Sequence, residues 1–338
     1  MLTCLAGMAQ PLGAAEDRPS QRVAALQALR TADLELATIG YRLSTGNVGL
    51  CQLKQAQFGM PLQALTQYDA GQRGDARTAL GFASVIEAVV PDSPAAQAGL
   101  RAGDSLLTID AVPQPTLAEA RKQVDIADRD VAQAALNRGG WSRPRVLRVL
   151  RDGATREVTI TPKVGCRLVP ELLVGTGLAA QSDGVHLQIG DGYIDRYDAN
   201  TVAIVVAHEM AHNILHHYDQ LRRARSCRAD ANEMRRTEAE ADRLSVALLA
   251  NAGYDPMLPV RFWHGRTGVL QLFSSDRDHG SAADREKQVS AAAATLRRNA
   301  KGVFYPPDFQ QMLASTHRAG CVSTRPGKNA ASGDASAL

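Results

Sequence analysis

The sequence predicts an α+β protein: a mainly helical domain with a small edge sheet, and a barrel-like β module inserted after an N-terminal helix. Three observations carry this. Residues 201–217 and 237–249 repeat apolar side chains at helical spacing, with Val202, Val205, Val206 and Ile214 on the first and Val246, Leu248 and Leu249 on the second. Residues 83–161 break instead into short strand-like runs separated by turns rich in Gly and Pro. Residues 16–45 place Val23, Leu26, Leu29, Leu34, Leu36 and Ile39 along one helical stripe, which Gly46, Asn47 and Gly49 end.

A chain of 338 residues allows two domains, each with its own core. Hydrophobic content of 45% and charge of 22% describe a globular protein, and a net charge of +3 is too small and too evenly spread to argue for nucleic acid. No apolar run reaches the length of about 18 residues that a spanning helix needs. Residues 1–15 have a short apolar body and a small-residue end at Gly13-Ala14-Ala15, like the back half of a secretory signal without its positive start. The expected location is therefore periplasmic or secreted. Cys4 would leave with that signal. Cys51, Cys166, Cys227 and Cys321 remain, an even number that allows two disulfides in three connectivities.

The first helix, within residues 16–70, is too short to form a core alone and is expected to pack on the later domain. Texture changes near Gly71. Leu80-Gly81-Phe82 leads into a strand-like run to Val90, followed by Ser93-Pro94-Ala95-Ala96-Gln97-Ala98-Gly99-Leu100-Arg101-Ala102-Gly103-Asp104 and a strand from Ser105 to Ile109. Gly99 and Gly103 fit turn positions that need positive φ. A helix is expected from Thr116 to about Asn137, then a hairpin of 146–150 with 157–161 around Asp152-Gly153. This pattern resembles a PDZ domain of the bacterial protease type over residues 71–163. The resemblance implies that Leu80, Gly81 and Phe82 offer backbone N–H groups to a peptide carboxylate, and that the strand after them accepts a peptide as an added strand. The plainer reading is a module that only holds domains together. Cys51 and Cys166 flank it, which favours one bridge between them and another between Cys227 and Cys321.

Within 201–217, His208, Glu209 and His212 have the spacing H-E-x-x-H. Residues four apart on a helix lie one turn above each other, so both imidazoles can reach one metal ion, with the carboxylate beside it as a proton acceptor. Asp198 or Asn200 is the expected N-cap. Leu215 and Tyr218 stand where a metzincin would have Gly and its third His, which excludes that variant. His216 and His217 read as a polar helix end. The third ligand is sought in Thr237-Glu238-Ala239-Glu240-Ala241-Asp242, where Glu238 and Asp242 share a face while Glu240 points to solvent or an arginine. Strand-like residues 185–189 and 192–194 read as a hairpin whose edge would line a substrate cleft.

H-E-x-x-H followed by E-x-x-A-D on a second helix resembles the M48 metallopeptidases over residues 164–322, leaving 323–338 as an unstructured tail. The resemblance implies one Zn2+ per chain held by His208, His212 and Glu238, with Glu209 as general base and Asp242 orienting a ligand histidine. Asp278-His279-Gly280 through Arg285 matches a family element at the cleft, except that Gly280 replaces its proline; it offers His279 as a catalytic residue. His186, His264 and His317 read as structural or surface residues. The function implied is a zinc endopeptidase acting on exported or unfolded proteins. The competing readings are a PDZ adaptor with a little-used zinc site and a zinc amidase acting on cell-wall material.

Overall fold

The computed structural model describes residues 19–69, 73–74, 84–115, 126–225, 231–264 and 281–315. They fall into two compact units, Met1–Val48 with Leu53–Leu172 and Gly49–Gln52 with Leu173–Leu338.

In the first unit, α1 (Pro19–Gly46) is the expected long helix. Its C-terminal half buries Leu36, Ile39 and Leu43, while Leu26 reaches a cluster of Leu65, Tyr68 and Val85. Ala37 and Tyr41 pack with Val90. The helix expected to pack on the later domain thus falls within the unit that holds the β module. Close approach fixes this placement: Ser44 Oγ donates to the Cys166 carbonyl at 2.7 Å, and a Cβ at Gly165 would collide with Ser44 and Gln57.

The module begins earlier than residue 71. β1 (Lys54–Gln57) pairs antiparallel with β8 (Lys163–Cys166), and β2 (Leu62–Ala64) opens the main sheet. That sheet runs β2-β3-β4-β6-β7, with β3 (Ser84–Ile86), β4 (Ser105–Ile109), β6 (Arg145–Arg151) and β7 (Ala154–Ile160), and β5 (Val112–Pro113) pairs with β4. Short α2 (Pro94–Gln97) is capped by Ser93, and Gly99 and Gly103 take φ of 72° and 89° as expected. The β6–β7 turn has Asp152 at 51° and Gly153 at 73°, the paired positive φ of a tight hairpin. Helix α3 (Ala127–Asn137) is described from Ala127 onward; residues 116–125 lie outside the described residues. Its apolar face, Ala132, Ala135 and Leu136, closes the core over Phe58, Met60, Leu62, Ile86, Leu106, Leu147 and Val149. Arg145 is wholly buried and donates to the Leu136 carbonyl at 2.8 Å and to Asp110 at 2.9 Å, so a charge caps the end of α3 from inside the sheet.

β9 (Val169–Leu173) leads onward to the second unit, where β10 (Ala180–Ser182) and β11 (His186–Gly190) pair antiparallel. The expected strand at 192–194 is instead part of α4 (Asp191–Arg196). The cause lies sixteen residues back: the Asp191 carboxylate accepts from the amides of Gly175 (2.6 Å), Gly177 (3.1 Å) and Gly192 (2.9 Å), which pins a helical start. Helix α5 (Ala199–Ile214) follows, with Asp198 accepting from Thr201 N at 2.8 Å as its N-cap. It is buried all round, from Val202 to Ile214. Leu215 caps it, His216 takes φ of 53°, and α6 (His217–Arg225) starts in a new direction. Helix α7 (Ala231–Asn251) packs along α5 and also meets α9 (Ala282–Thr295). Short α8 (Leu258–Trp263), the ribbon β12 (Arg297–Arg298) with β13 (Phe304–Tyr305), and α10 (Phe309–Ser315) complete the unit.

Cys51 and Cys166 are disulfide-bonded. Cys227 and Cys321 lie outside the described residues, as do the leader-like segment and the tail. Closing so long a loop restricts the unfolded chain, so the Cys51→Ser/Cys166→Ser protein should lose about 2–4 kcal/mol of stability. Denaturant unfolding of both proteins checks this; coincident midpoints would leave the bridge without an energetic role.

Candidate metal centre

Helix α5 presents His208 and His212 to α7, which presents Glu238. His208 Nε2 lies 3.1 Å from Glu238 Oε2 and 3.1 Å from His212 Nε2, and His212 Nε2 lies 3.5 Å from Glu238 Oε1. Among the described residues these are the one group of three metal-ligating side chains that converge, their ligand atoms all within 4.8 Å of one another. Glu209, His208's neighbour, is 6% exposed and makes no hydrogen bond or ion pair among the described residues. A carboxylate that is buried without a protein partner costs free energy, so it has to be kept for something else. Tyr193 on α4 is fully buried beside it; burial, and then the Glu209 charge, push the phenol's pKa up.

Behind the triad stands a layer of charge. His208 Nδ1 lies 3.0 Å from Asp242 Oδ1, and Arg285 on α9 donates to both oxygens of Asp242, at 2.7 and 2.5 Å. The Arg285 guanidinium also stacks 4.3 Å from the centre of the Trp263 ring. Burial opposes ionisation of Asp242, but Arg285 and His208 outweigh it and hold its pKa at about 2. Burial likewise disfavours the His208 cation, yet hydrogen bonds donated to the carboxylates of Asp242 and Glu238 raise its pKa to about 9. On the other side His212 Nδ1 meets His217 Nδ1 at 3.0 Å, and His217 Nε2 meets Glu240 Oε2 at 3.2 Å. Glu240 is also paired with Arg236 at 2.7 Å, so the residue expected to face solvent or an arginine is buried against both an arginine and a histidine.

This arrangement suits a divalent cation. Each Nδ1 is engaged from behind, which leaves two Nε2 atoms and a carboxylate facing one point. Electron-rich atoms so close repel unless positive charge sits among them. Two imidazole nitrogens and one carboxylate oxygen, with no sulfur, are a zinc-like donor set with room left for water.

Of the expected site residues, His208, His212, Glu238, Asp242 and Glu209 come together. His279 lies outside the described residues, while Arg285, the last residue of its motif, reaches the centre. His186 and His264 stand apart, each on a carboxylate, Asp183 at 2.9 Å and Glu286 at 2.8 Å. Arg236 and Tyr193 were not singled out by sequence, while His217 was read as a polar helix end and Glu240 as facing solvent or an arginine. Beside α5 runs β10, an edge strand, so the strand at the cleft is β10 rather than part of a 185–194 hairpin. The turn after it is tied to α5 by Gly184 N donating to Asn213 Oδ1 at 2.7 Å.

In the first unit, Leu80, Gly81 and Phe82 lie outside the described residues. The strand after them, β3, cannot take an added strand, because β2 and β4 pair with it on its two sides. Among the described residues, β2 is the edge on that side of the sheet. The loop before β2, Phe58-Gly59-Met60, has the same hydrophobic-Gly-hydrophobic pattern, with Gly59 at φ 72°. Its carbonyls are held by Ala95 N at 2.9 Å and Val90 N at 2.8 Å. A cavity of about 90 Å³ lies against this loop, lined also by Arg129, Gln133 and Leu136 of α3, by Ala37, Gly40 and Tyr41 of α1, and by Leu168–Pro170. The Tyr41 hydroxyl is buried there without a partner among the described residues, and Arg129 is engaged by Glu171 at 2.6 Å.

The support behind His208 can be tested directly. Arg285→Met leaves Asp242 buried without its cation and should cost about 3–5 kcal/mol in denaturant unfolding. Adding Asp242→Asn should recover more than half. Additive losses in the double variant would mean that the pair is not coupled.

The PDZ domain family model matches residues 85–124. Among solved structures, the chain is similar to an HtrA-type protease, AlgW, with a decapeptide: 23% identity, 33% of this chain and 30% of that chain covered, TM-score 0.25. It is also similar to the HtrA3 PDZ domain bound to a phage-derived ligand, with 17% identity, 33% and 88% coverage and a TM-score of 0.23. The chain spans under a third of the length of the AlgW chain that it matches. No curated protein matches it. The first unit therefore contains a PDZ domain, and the family model ends well before His208.

Proposed function

We propose that the chain is a zinc-dependent endopeptidase of the M48 type whose PDZ domain engages peptide substrates. The observation that carries this is the convergence of His208, His212 and Glu238 beside Glu209, a buried carboxylate with no partner among the described residues. A structural metal site has no use for such a group.

A bound zinc ion would lower the pKa of a water molecule towards 7 and polarise the scissile carbonyl. His208 and His212 would hold it through Nε2, and Glu238 would supply an oxygen. Glu209 takes the proton from water on a carboxylate oxygen and passes it to the departing amine. Tyr193, buried beside Glu209, excludes solvent on that side. β10 offers a free edge next to α5, along which an extended peptide can add as a strand. In the PDZ domain, the amides of Phe58, Gly59 and Met60 are the donors that fit a peptide carboxylate. The disulfide, together with the absence of a membrane-crossing helix among the described residues, supports an exported location.

Glu209→Gln keeps the shape and the metal ligands but removes the base. It should bind one zinc per chain and cleave an unfolded protein at least about 100-fold more slowly. Equal cleavage by wild type and variant removes Glu209 from the reaction and the endopeptidase reading with it.

A further inference from the structure

We propose that His217 is a positioning residue for His212, completing a second support that presents the Nε2 lone pair of His212 to the metal point. This rests on the zinc reading of the same centre.

The contact exists because the helix breaks. On a continuous helix a residue five positions on lies about 140° around the axis, out of reach. Here His216 adopts φ of 53°, α6 starts at His217, and the ring turns back until its centre lies 4.9 Å from that of His212, at 74°. His217 is wholly buried, so each ring nitrogen needs a partner inside the protein. It has two: His212 Nδ1 at 3.0 Å and Glu240 Oε2 at 3.2 Å.

Those two contacts fix the direction of every proton along the line. Between two ring nitrogens there is room for one hydrogen. If His217 Nδ1 donated to His212, the Nε2 lone pair of a neutral His217 would face the Glu240 carboxylate, which is repulsive. A cationic His217 would relieve that, but a wholly buried imidazole is disfavoured as a cation, and Glu240 already has a cation in Arg236 at 2.7 Å, which it shares with Glu233 at 2.5 Å. The arrangement left is His212 Nδ1–H donating to His217 Nδ1, and His217 Nε2–H donating to Glu240. It places the hydrogen of His212 on Nδ1 and its lone pair on Nε2, facing Glu238 and His208. The outcome matches what Asp242 with Arg285 does for His208 directly. One ligand histidine is held by a carboxylate and an arginine, the other by the same pair acting through an imidazole.

Two measurements test this. Zinc affinity, by competition with a chelating indicator, and the cobalt absorption spectrum are read for wild type, His217→Phe and His217→Gln, each checked for folding by circular dichroism. His217→Phe fills the space without polar atoms and should bind zinc about 10–100-fold more weakly, with altered cobalt bands. His217→Gln, which can accept from His212 and donate to Glu240, should recover most of the loss. A folded His217→Phe protein with wild-type affinity and spectrum overturns the proposal. Histidine ¹⁵N NMR of the wild type needs no variant. It should find His212 as the Nδ1–H tautomer and His217 as the neutral Nε2–H tautomer, and the opposite His217 tautomer overturns the proposal. A wild type that binds no zinc sinks the zinc reading, and the tautomers measured on metal-free protein then decide the positioning role by themselves.

Discussion

Helix α5 is buried on every side, so a histidine on it has to find partners for its ring nitrogens within the protein. That constraint organises the second unit. A buried imidazole has two nitrogens, and one facing a metal point leaves the other to be satisfied from behind. His208 is satisfied by Asp242, which is itself buried and therefore requires Arg285. Arg285 in turn lies on α9, so the packing of α9 on α7 and the chemistry of His208 are one arrangement. Trp263 shields the guanidinium from water and strengthens the pair it makes.

Much of this was legible in the sequence, because it depends on local spacing. His208 with His212, and Glu238 with Asp242, are four apart, and a helix puts such pairs on one face whatever surrounds it. Asp198 as N-cap and Asp152-Gly153 as a tight turn follow from the chemistry of those residue types. What escaped depends on partners distant in sequence or on a rare backbone state. Residues 192–194 alternate like a strand, but three glycine amides gathered on Asp191 make them helical. His217 looked like a frayed polar end because a left-handed φ at a non-glycine residue, His216, is not written in any spacing rule.

The PDZ domain illustrates a different limit. Two segments, Phe58-Gly59-Met60 and Leu80-Gly81-Phe82, carry the same short pattern, and only strand pairing distinguishes them. Among the described residues, pairing gives β3 a neighbour on each side and leaves β2 as the edge on that side of the sheet, beside the earlier loop. α1 was equally hard to place, since an amphipathic stripe says that a helix packs but not against what. Its Ala37, Gly40 and Tyr41 help to line the cavity at the earlier loop. A peptide entering there would meet the Tyr41 hydroxyl, a buried donor that has no partner among the described residues.

The asymmetry of the two histidine supports follows from helix geometry alone. Glu238 and Asp242 occupy one face of α7, which α5 fills with His208 and His212. Glu240 is two residues from Glu238 and points about 200° away around the axis, so it cannot touch a ligand ring on that face. A carboxylate in that position can support His212 only through a side chain that comes round the end of α5. The break at His216 supplies one, and an imidazole suits it because a single ring can accept at one nitrogen while donating at the other. The arm that results is less enclosed than its counterpart: the Arg236 side chain is 32% exposed, against 3% for that of Arg285. Solvent therefore screens the Arg236–Glu240 pair more than the Asp242–Arg285 pair, and the orientation of His212 is the less strongly held of the two.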